Sequence, residues 1–317
     1  MKNRVHPELK EIFSVLPAID NSPENFQQYR TWANETFAAT DLTSNDKIMV
    51  SNRLIPGPEG APEVRIRIYE PTKNTKDLPG VLWIHGGGYT VGLPEMDDRL
   101  CEKFVLEADC VVVSVDYRLA PENPFPAPLE DCYAALQWVS NNSEDLGIDS
   151  SRIAIAGMSA GGGLTAALAL LARDRKGPSI IFQMPLCPMI DDRNITPSTF
   201  EITDQKVWNR EANISGWKMY LGSAYGEEVS PYAASARASD LTGLPPTYTC
   251  VGELDPFRDE TIEYANRLLQ AGVPTEFHVY PGGYHGFELI VPNAEISQRA
   301  EKEYISALKR ALQKTEV

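Results

Sequence analysis

Serine does chemistry when a neighbouring base takes its proton and a third group holds that base in place. In this chain the stretch Gly157-Met158-Ser159-Ala160-Gly161 has the spacing Gly-x-Ser-x-Gly. A short apolar run, 153–156, precedes it, and a long apolar stretch begins at Leu164. That context predicts a strand, a strained turn that throws the Ser159 hydroxyl clear of the backbone, and a helix whose positive end faces the reacting carbon. Glycine on both flanks leaves such a turn the room it needs. The competing reading is a phosphate-cradling loop. A loop of that kind carries Gly-Lys-Ser/Thr, and this one has no lysine.

The base must come from four histidines. His6 lies in the polar N-terminal tail, and His278 lies inside a predicted strand, 276–280. His85 opens His85-Gly86-Gly87-Gly88-Tyr89 after an apolar run, and His285 sits in Pro281-Gly282-Gly283-Tyr284-His285-Gly286-Phe287. Both follow strands, and catalytic groups of open α/β sheets gather at the carboxyl ends of strands. The chain order serine, acid, histidine favours His285; its bland alternative is a surface-loop histidine. The acid is expected just past a strand at 247–251. Asp255, followed by Pro256, suits that place, with Glu253 as rival and with Asp259 and Glu260 as structural partners of Arg258 or the loop. A tetrahedral intermediate needs backbone N–H donors. The triple glycine Gly86-Gly87-Gly88 can expose them, and Ala160 adds another; a mere tight turn is the plain reading of the glycines.

The elements that must hold these residues follow from periodicity. From residue 81 onward, strands at 81–84, 110–115, 153–156, 180–184, 247–251 and 276–280 alternate with helical stretches. This is the pattern of an α/β fold with a mostly parallel sheet covered on both faces. Ahead of it, 47–54 and 64–69 read as an edge hairpin, and 7–16 and 23–38 as helices, the second started by Asn21-Ser22-Pro23. The gap from 184 to 247 is too long for one crossover. It reads as an insertion above the sheet, with a helical piece at 208–221, and the chain closes with a helix at 294–312.

Composition excludes several classes. A net charge of −15 argues against nucleic acid and anionic membranes as partners. No apolar run approaches a membrane span, and the start of the chain has no apolar signal region. Five cysteines without metal-like spacing read as free thiols, so a cytoplasmic location without metal is expected.

His85-Gly-Gly-Gly-Tyr89, Asp116-Tyr-Arg-Leu-Ala-Pro-Glu122, 157–161, Asp255-Pro-Phe-Arg-Asp-Glu260 and His285-Gly-Phe287 stand in one order along nearly the whole chain. Together they resemble the hormone-sensitive-lipase-like carboxylesterases, bacterial α/β-hydrolases. The resemblance implies an α/β-hydrolase fold and a cofactor-free serine esterase acting on small neutral esters. It implies Ser159 as nucleophile, His285 as base, Asp255 as its orienter, and Gly87, Gly88 and Ala160 as oxyanion donors in a loop shaped by His85 and Gly86. It further implies a cap made of residues 1–45 and an insertion at about 185–230 on a hydrolase domain spanning 46–317, and a homodimer. Met158 and Phe257 depart from residues common at their places in the family. An amidase or peptidase on the same fold, or a non-catalytic receptor, are the other readings. Short-acyl esters are expected because the cap sequence is rich in charge (Glu24, Arg30, Glu35, Asp41, Asp191, Asp192, Arg193, Glu201) rather than broadly apolar.

Overall fold

The computed structural model describes residues 1–22, 25–38, 46–73 and 76–313. In chain order it runs α1 (Lys10–Val15), α2 (Phe26–Ala38), β1 (Ile48–Ile55), β2 (Val64–Pro71), β3 (Leu78–Ile84), α3 (Asp98–Ala108), β4 (Val111–Asp116) and α4 (Ala127–Asn141). It continues through β5 (Ile148–Met158), α5 (Ala160–Asp174), β6 (Phe182–Leu186), α6 (Pro197–Glu201), α7 (Arg210–Leu221), β7 (Thr247–Leu254), α8 (Arg258–Gln270), β8 (Thr275–Tyr284), α9 (Phe287–Ile290) and α10 (Glu295–Leu312). The predicted start of the second helix at Pro23, and residues 39–45 with Asp41, lie outside the described residues, as does Glu24.

The strands form one eight-stranded sheet in the order β1-β2-β4-β3-β5-β6-β7-β8. Its first pairings, β1 with β2 and β2 with β4, are antiparallel, and every pairing from β3 to β8 is parallel. Sequence accounts for this division. β1 alternates buried ends with exposed middle positions, as an edge strand does, whereas Val111, Val112 and Val113 of β4 are buried without alternation, as an interior strand covered on both faces must be. Behind the serine, α5 is buried continuously from Ala160 to Ala172, the all-round apolar helix its sequence predicts.

β6 starts and ends two residues later than expected, at Phe182–Leu186 rather than 180–184. Pro185 is the usual signal to stop a strand, since it has no N–H to give the ladder. Here the β6–β7 ladder lapses at that point, pairing only Gln183 with Thr247 and Leu186 with Cys250. The Thr249 hydroxyl donates to the Pro185 carbonyl at 2.6 Å, and the strand carries on because the Leu186 carbonyl accepts the Ser159 N–H at 2.9 Å.

The insertion carries its expected helix as α7, whose N-cap Asn209 accepts from the N–H groups of Glu211 and Ala212. α2 is anchored on the other side, where Phe26 and Ala33 pack against Val91. Arg30 of α2 donates to the carbonyls of Thr90 (2.9 Å) and Ala120 (2.5 Å) and pairs with Glu122. The charge of this region is only partly an outer face: Glu35, Arg193 and Glu201 are exposed, but not all of it is. Asp191 and Asp192 are buried in ion pairs with Arg193 and Arg237, and Glu201 pairs with Arg4 and Arg258. Trp32, Ile195 and Phe200 stand exposed as well. Charge spacing alone could not separate paired from solvated acids, and the expectation of outward-facing charge is corrected at Asp191 and Asp192.

Candidate active site

Ser159 sits where β5 turns into α5, with φ 58° and ψ −120°, a backbone conformation that side chains rarely adopt. The turn is pressed onto the end of β3. A Cβ at Gly161 would lie 2.0 Å from the Ile84 carbonyl oxygen, so only hydrogen fits there. The Ser159 carbonyl is held by the N–H groups of Gly163 (2.9 Å) and Met189 (3.0 Å), which fixes the serine against both α5 and the start of the insertion.

The loop after β8 brings His285 to this serine. The Ser159 Oγ–His285 Nε2 distance is 2.9 Å and the His285 Nδ1–Asp255 Oδ2 distance is 2.7 Å. A carboxylate only accepts, so Nδ1–H donates to Asp255 and Nε2 is left free to accept the serine hydroxyl. The other oxygen of Asp255 accepts the Phe257 N–H at 2.9 Å, and the Phe257 ring meets the imidazole edge-on, with centroids 5.0 Å apart. Asp255 is fully buried. Burial works to lower the pKa of His285, but the charge and hydrogen bond of Asp255, with Glu288 behind them, outweigh it and raise the imidazole above its ordinary value. Burial likewise pushes the Glu288 carboxyl up to about 7.

Glu253, the rival acid, does other work. Its carboxylate accepts the Gly282 N–H at 2.8 Å and pairs with Arg4 at 2.9 Å, tying the acid loop to the histidine loop. The N-terminal tail joins them, because the His6 N–H donates to the Gly282 carbonyl at 3.0 Å. His6, in the polar N-terminal tail, is therefore docked against the loop that carries His285. His278 pairs with Glu276 on β8, away from the serine. Asp259 holds Arg258 and the Ser198 N–H, and Glu260 accepts the Ile190 N–H, both structural as expected.

The triple glycine lies beside the serine. Gly87 and Gly88 have φ of 114° and 59°, and their N–H groups, like that of Ala160, are bonded to nothing among the described residues. Three N–H donors next to a nucleophile can receive a developing oxyanion. His85 is fully buried, stacks on Tyr117 with centroids 4.2 Å apart, and donates from Nδ1 to the Gly86 carbonyl at 2.7 Å. Tyr117 adds a bond to the His85 carbonyl at 2.9 Å. Burial lowers the His85 pKa, so this imidazole shapes the loop as a neutral ring.

Sequence reasoning missed Trp208, which stands over both halves of the site. Its benzo edge occupies the position next to Gly88 where a Cβ would come within 2.4 Å, and its ring centroid is 6.4 Å from that of His285. Only its place in the insertion, without a period to aim it, marked it beforehand. Among the described residues, the ligand-type side chains brought together are Cys187, Asp255 and His285, with their atoms within 4.8 Å. Both imidazole nitrogens are already bonded there, and burial holds the Cys187 thiol well above the ordinary thiol range, which suits neighbours of a hydrogen-bonded pair better than metal ligands. No helix among the described residues is long and apolar enough to cross a membrane.

A parallel sheet with a strained serine after one strand and a histidine and an acid after the last two defines the class of an α/β hydrolase. The chain belongs to the alpha/beta hydrolase fold family, in its hormone-sensitive-lipase-like branch, the family match spanning residues 81–289. It is 34% identical to carboxylesterase NlhH of Mycobacterium tuberculosis over 97% of this chain and 96% of that protein. It is 39% identical to esterase LipI of the same organism over 78% of each. In three dimensions it is similar to a bacterial heroin esterase, with a TM-score of 0.94, 43% identity and coverage of 98% of this chain and 99% of that one.

Proposed function

We propose that this protein is a serine carboxylesterase that cleaves short-acyl esters through a covalent acyl-enzyme, with Ser159, His285 and Asp255 as its triad and no cofactor. The observation that carries the reading is the unbroken bonded line from the Ser159 hydroxyl through His285 to buried Asp255. His285 Nε2 takes the serine proton as Oγ attacks the ester carbonyl carbon. The carbonyl oxygen becomes an oxyanion and receives the N–H groups of Gly87, Gly88 and Ala160. Collapse breaks the bond to the alcohol oxygen, which leaves with the proton from Nε2. Water then gives its proton to the same nitrogen, attacks the acyl carbon and releases the acid, and Oγ recovers its hydrogen. Residues 1–45 and about 185–230 serve as the cap. Relatives named carboxylesterase and esterase favour ester over amide cleavage.

Labelling by a fluorophosphonate probe tests the nucleophile: wild type should label and Ser159→Ala should not. A series of p-nitrophenyl esters tests the acyl range. Butyrate should exceed palmitate in kcat/KM, and a rate that jumps when droplets form would make the protein a lipase instead.

The pH profile follows from the raised His285. Only the neutral ring accepts a proton, so kcat/KM should fall with falling pH through a midpoint above the ~6.5 of free imidazole. A profile flat from about pH 5 to 9 rules out a histidine base. Glu253→Gln should retain at least about a third of wild-type kcat, a loss within about 1 kcal/mol, since the amide oxygen still accepts from Gly282 and the exposed Arg4 pair contributes little.

A further inference from the structure

We propose that Trp208 sets how large an alcohol the enzyme accepts, by walling the leaving-group side of the reacting carbon. This rests on the serine-esterase reading and extends it to the second half of the substrate.

The geometry comes from four bonds. In the tetrahedral intermediate the reacting carbon carries the serine oxygen, the oxyanion, the alcohol oxygen and the acyl chain. The oxyanion points to the N–H groups of Gly87 and Gly88, and the alcohol oxygen points to His285 Nε2, which must protonate it. In a tetrahedron, the edge joining those two bonds lies opposite the edge joining the serine oxygen and the acyl chain. Trp208 covers the first edge. Its benzo end lies against Gly88 and its ring is 6.4 Å from the imidazole, so it borders the oxyanion and the alcohol and stands away from the acyl chain.

A wall selects only if it stays put, and this one is braced. The indole Nε1–H donates to Asn213 Oδ1 at 3.3 Å, and Asn213 Nδ2 in turn donates to Asn194 Oδ1 at 2.6 Å. Asn213 and Asn194 are both buried. On the helix that follows, Gly216 lies against the ring: a Cβ there would stand 3.4 Å from it, an ordinary packing distance, and 3.3 Å from the Gly88 carbonyl oxygen. Trp208 itself is 7% exposed, so its bulk faces inward rather than to solvent.

Two substrate series separate the arms. One holds the acyl group at acetate and enlarges the alcohol from ethyl to phenyl to 1-naphthyl. The other holds p-nitrophenol and lengthens the acyl chain from acetate to octanoate. Trp208→Ala should raise the kcat/KM ratio of 1-naphthyl acetate to ethyl acetate by about tenfold or more, the scale at which pocket volume discriminates, while the octanoate-to-acetate ratio moves less than about twofold. Trp208→Phe, which keeps a ring but loses the indole N–H bond and some bulk, should fall between and serves if the alanine variant does not fold. An acyl ratio that moves as much as the alcohol ratio, or a folded variant in which neither moves, overturns the assignment. Wild-type protein that neither labels with fluorophosphonate nor cleaves any of these esters overturns the esterase reading instead, so the two failures look different.

Discussion

Ser159→Ala, His285→Ala and Asp255→Asn are each expected to lower kcat by roughly three to six orders of magnitude, and any pair of them by little more than the worse single change. The three residues form one hydrogen-bonded line, so removing one member strands the others. Asp255→Asn is the informative member. Its amide can keep the oxygen that accepts from Phe257, but it then offers an N–H to His285 Nδ1 where a carboxylate accepted. The imidazole answers by moving its own proton to Nε2, which then faces the serine as a donor and cannot act as a base. The loss should therefore appear in kcat while fluorophosphonate labelling slows by a similar factor and thermal stability stays near wild type. Near-normal turnover in Asp255→Asn, paired with collapse in Glu253→Gln, would reassign the acid.

Gly87→Ala should rank next, with kcat down roughly 10²- to 10³-fold and KM little changed, the mark of a group that acts in the transition state. At φ 114° an alanine is strained whatever the space, and its methyl would lie 2.0 Å from the Val91 carbonyl oxygen, which is backbone and cannot swing aside. Gly88→Ala meets a different obstacle. Its φ of 59° costs an L residue only about 1–2 kcal/mol, and the atom in the way, at 2.4 Å, belongs to the Trp208 side chain. Adding Trp208→Ala should thus recover part of the activity of Gly88→Ala and none of that of Gly87→Ala. Steady-state kinetics on the four variants check this. Equal rescue of both would mean that Trp208, rather than backbone, limits the loop at both positions.

The parts of the site that sequence made legible are those where local backbone geometry and side-chain identity coincide. Ser159 needs its glycines, Gly87 and Gly88 need freedom at φ, and His285 and Asp255 need to follow strands, so each leaves a mark within a few residues of itself. The β-branched run of β4 and the short apolar run of β5 announced interior strands in the same way. What escaped were contacts made across long stretches of chain. Trp208 reaches Gly88 from 120 positions away, and no period in the insertion pointed it there. Asp192 read as solvated charge because its partner Arg237 comes from 45 positions further along the chain. The strand expected at 180–184 runs on to Leu186 because the serine N–H that its carbonyl accepts lies on another strand's turn.

The docking of the first residues on the histidine loop has a practical side. Gly282 at φ 72° would bring a Cβ within 2.6 Å of the His6 nitrogen, so the tail lies where a side chain would otherwise be. Arg4 reaches the same loop through Glu253, and Met1 packs on the core just ahead of them. A purification tag fused in front of Met1 would load the segment bonded to Gly282, three residues ahead of His285. Preparations that differ only in such a tag should differ in turnover as well as in yield, and a linker long enough to leave Met1 seated should bring them back together.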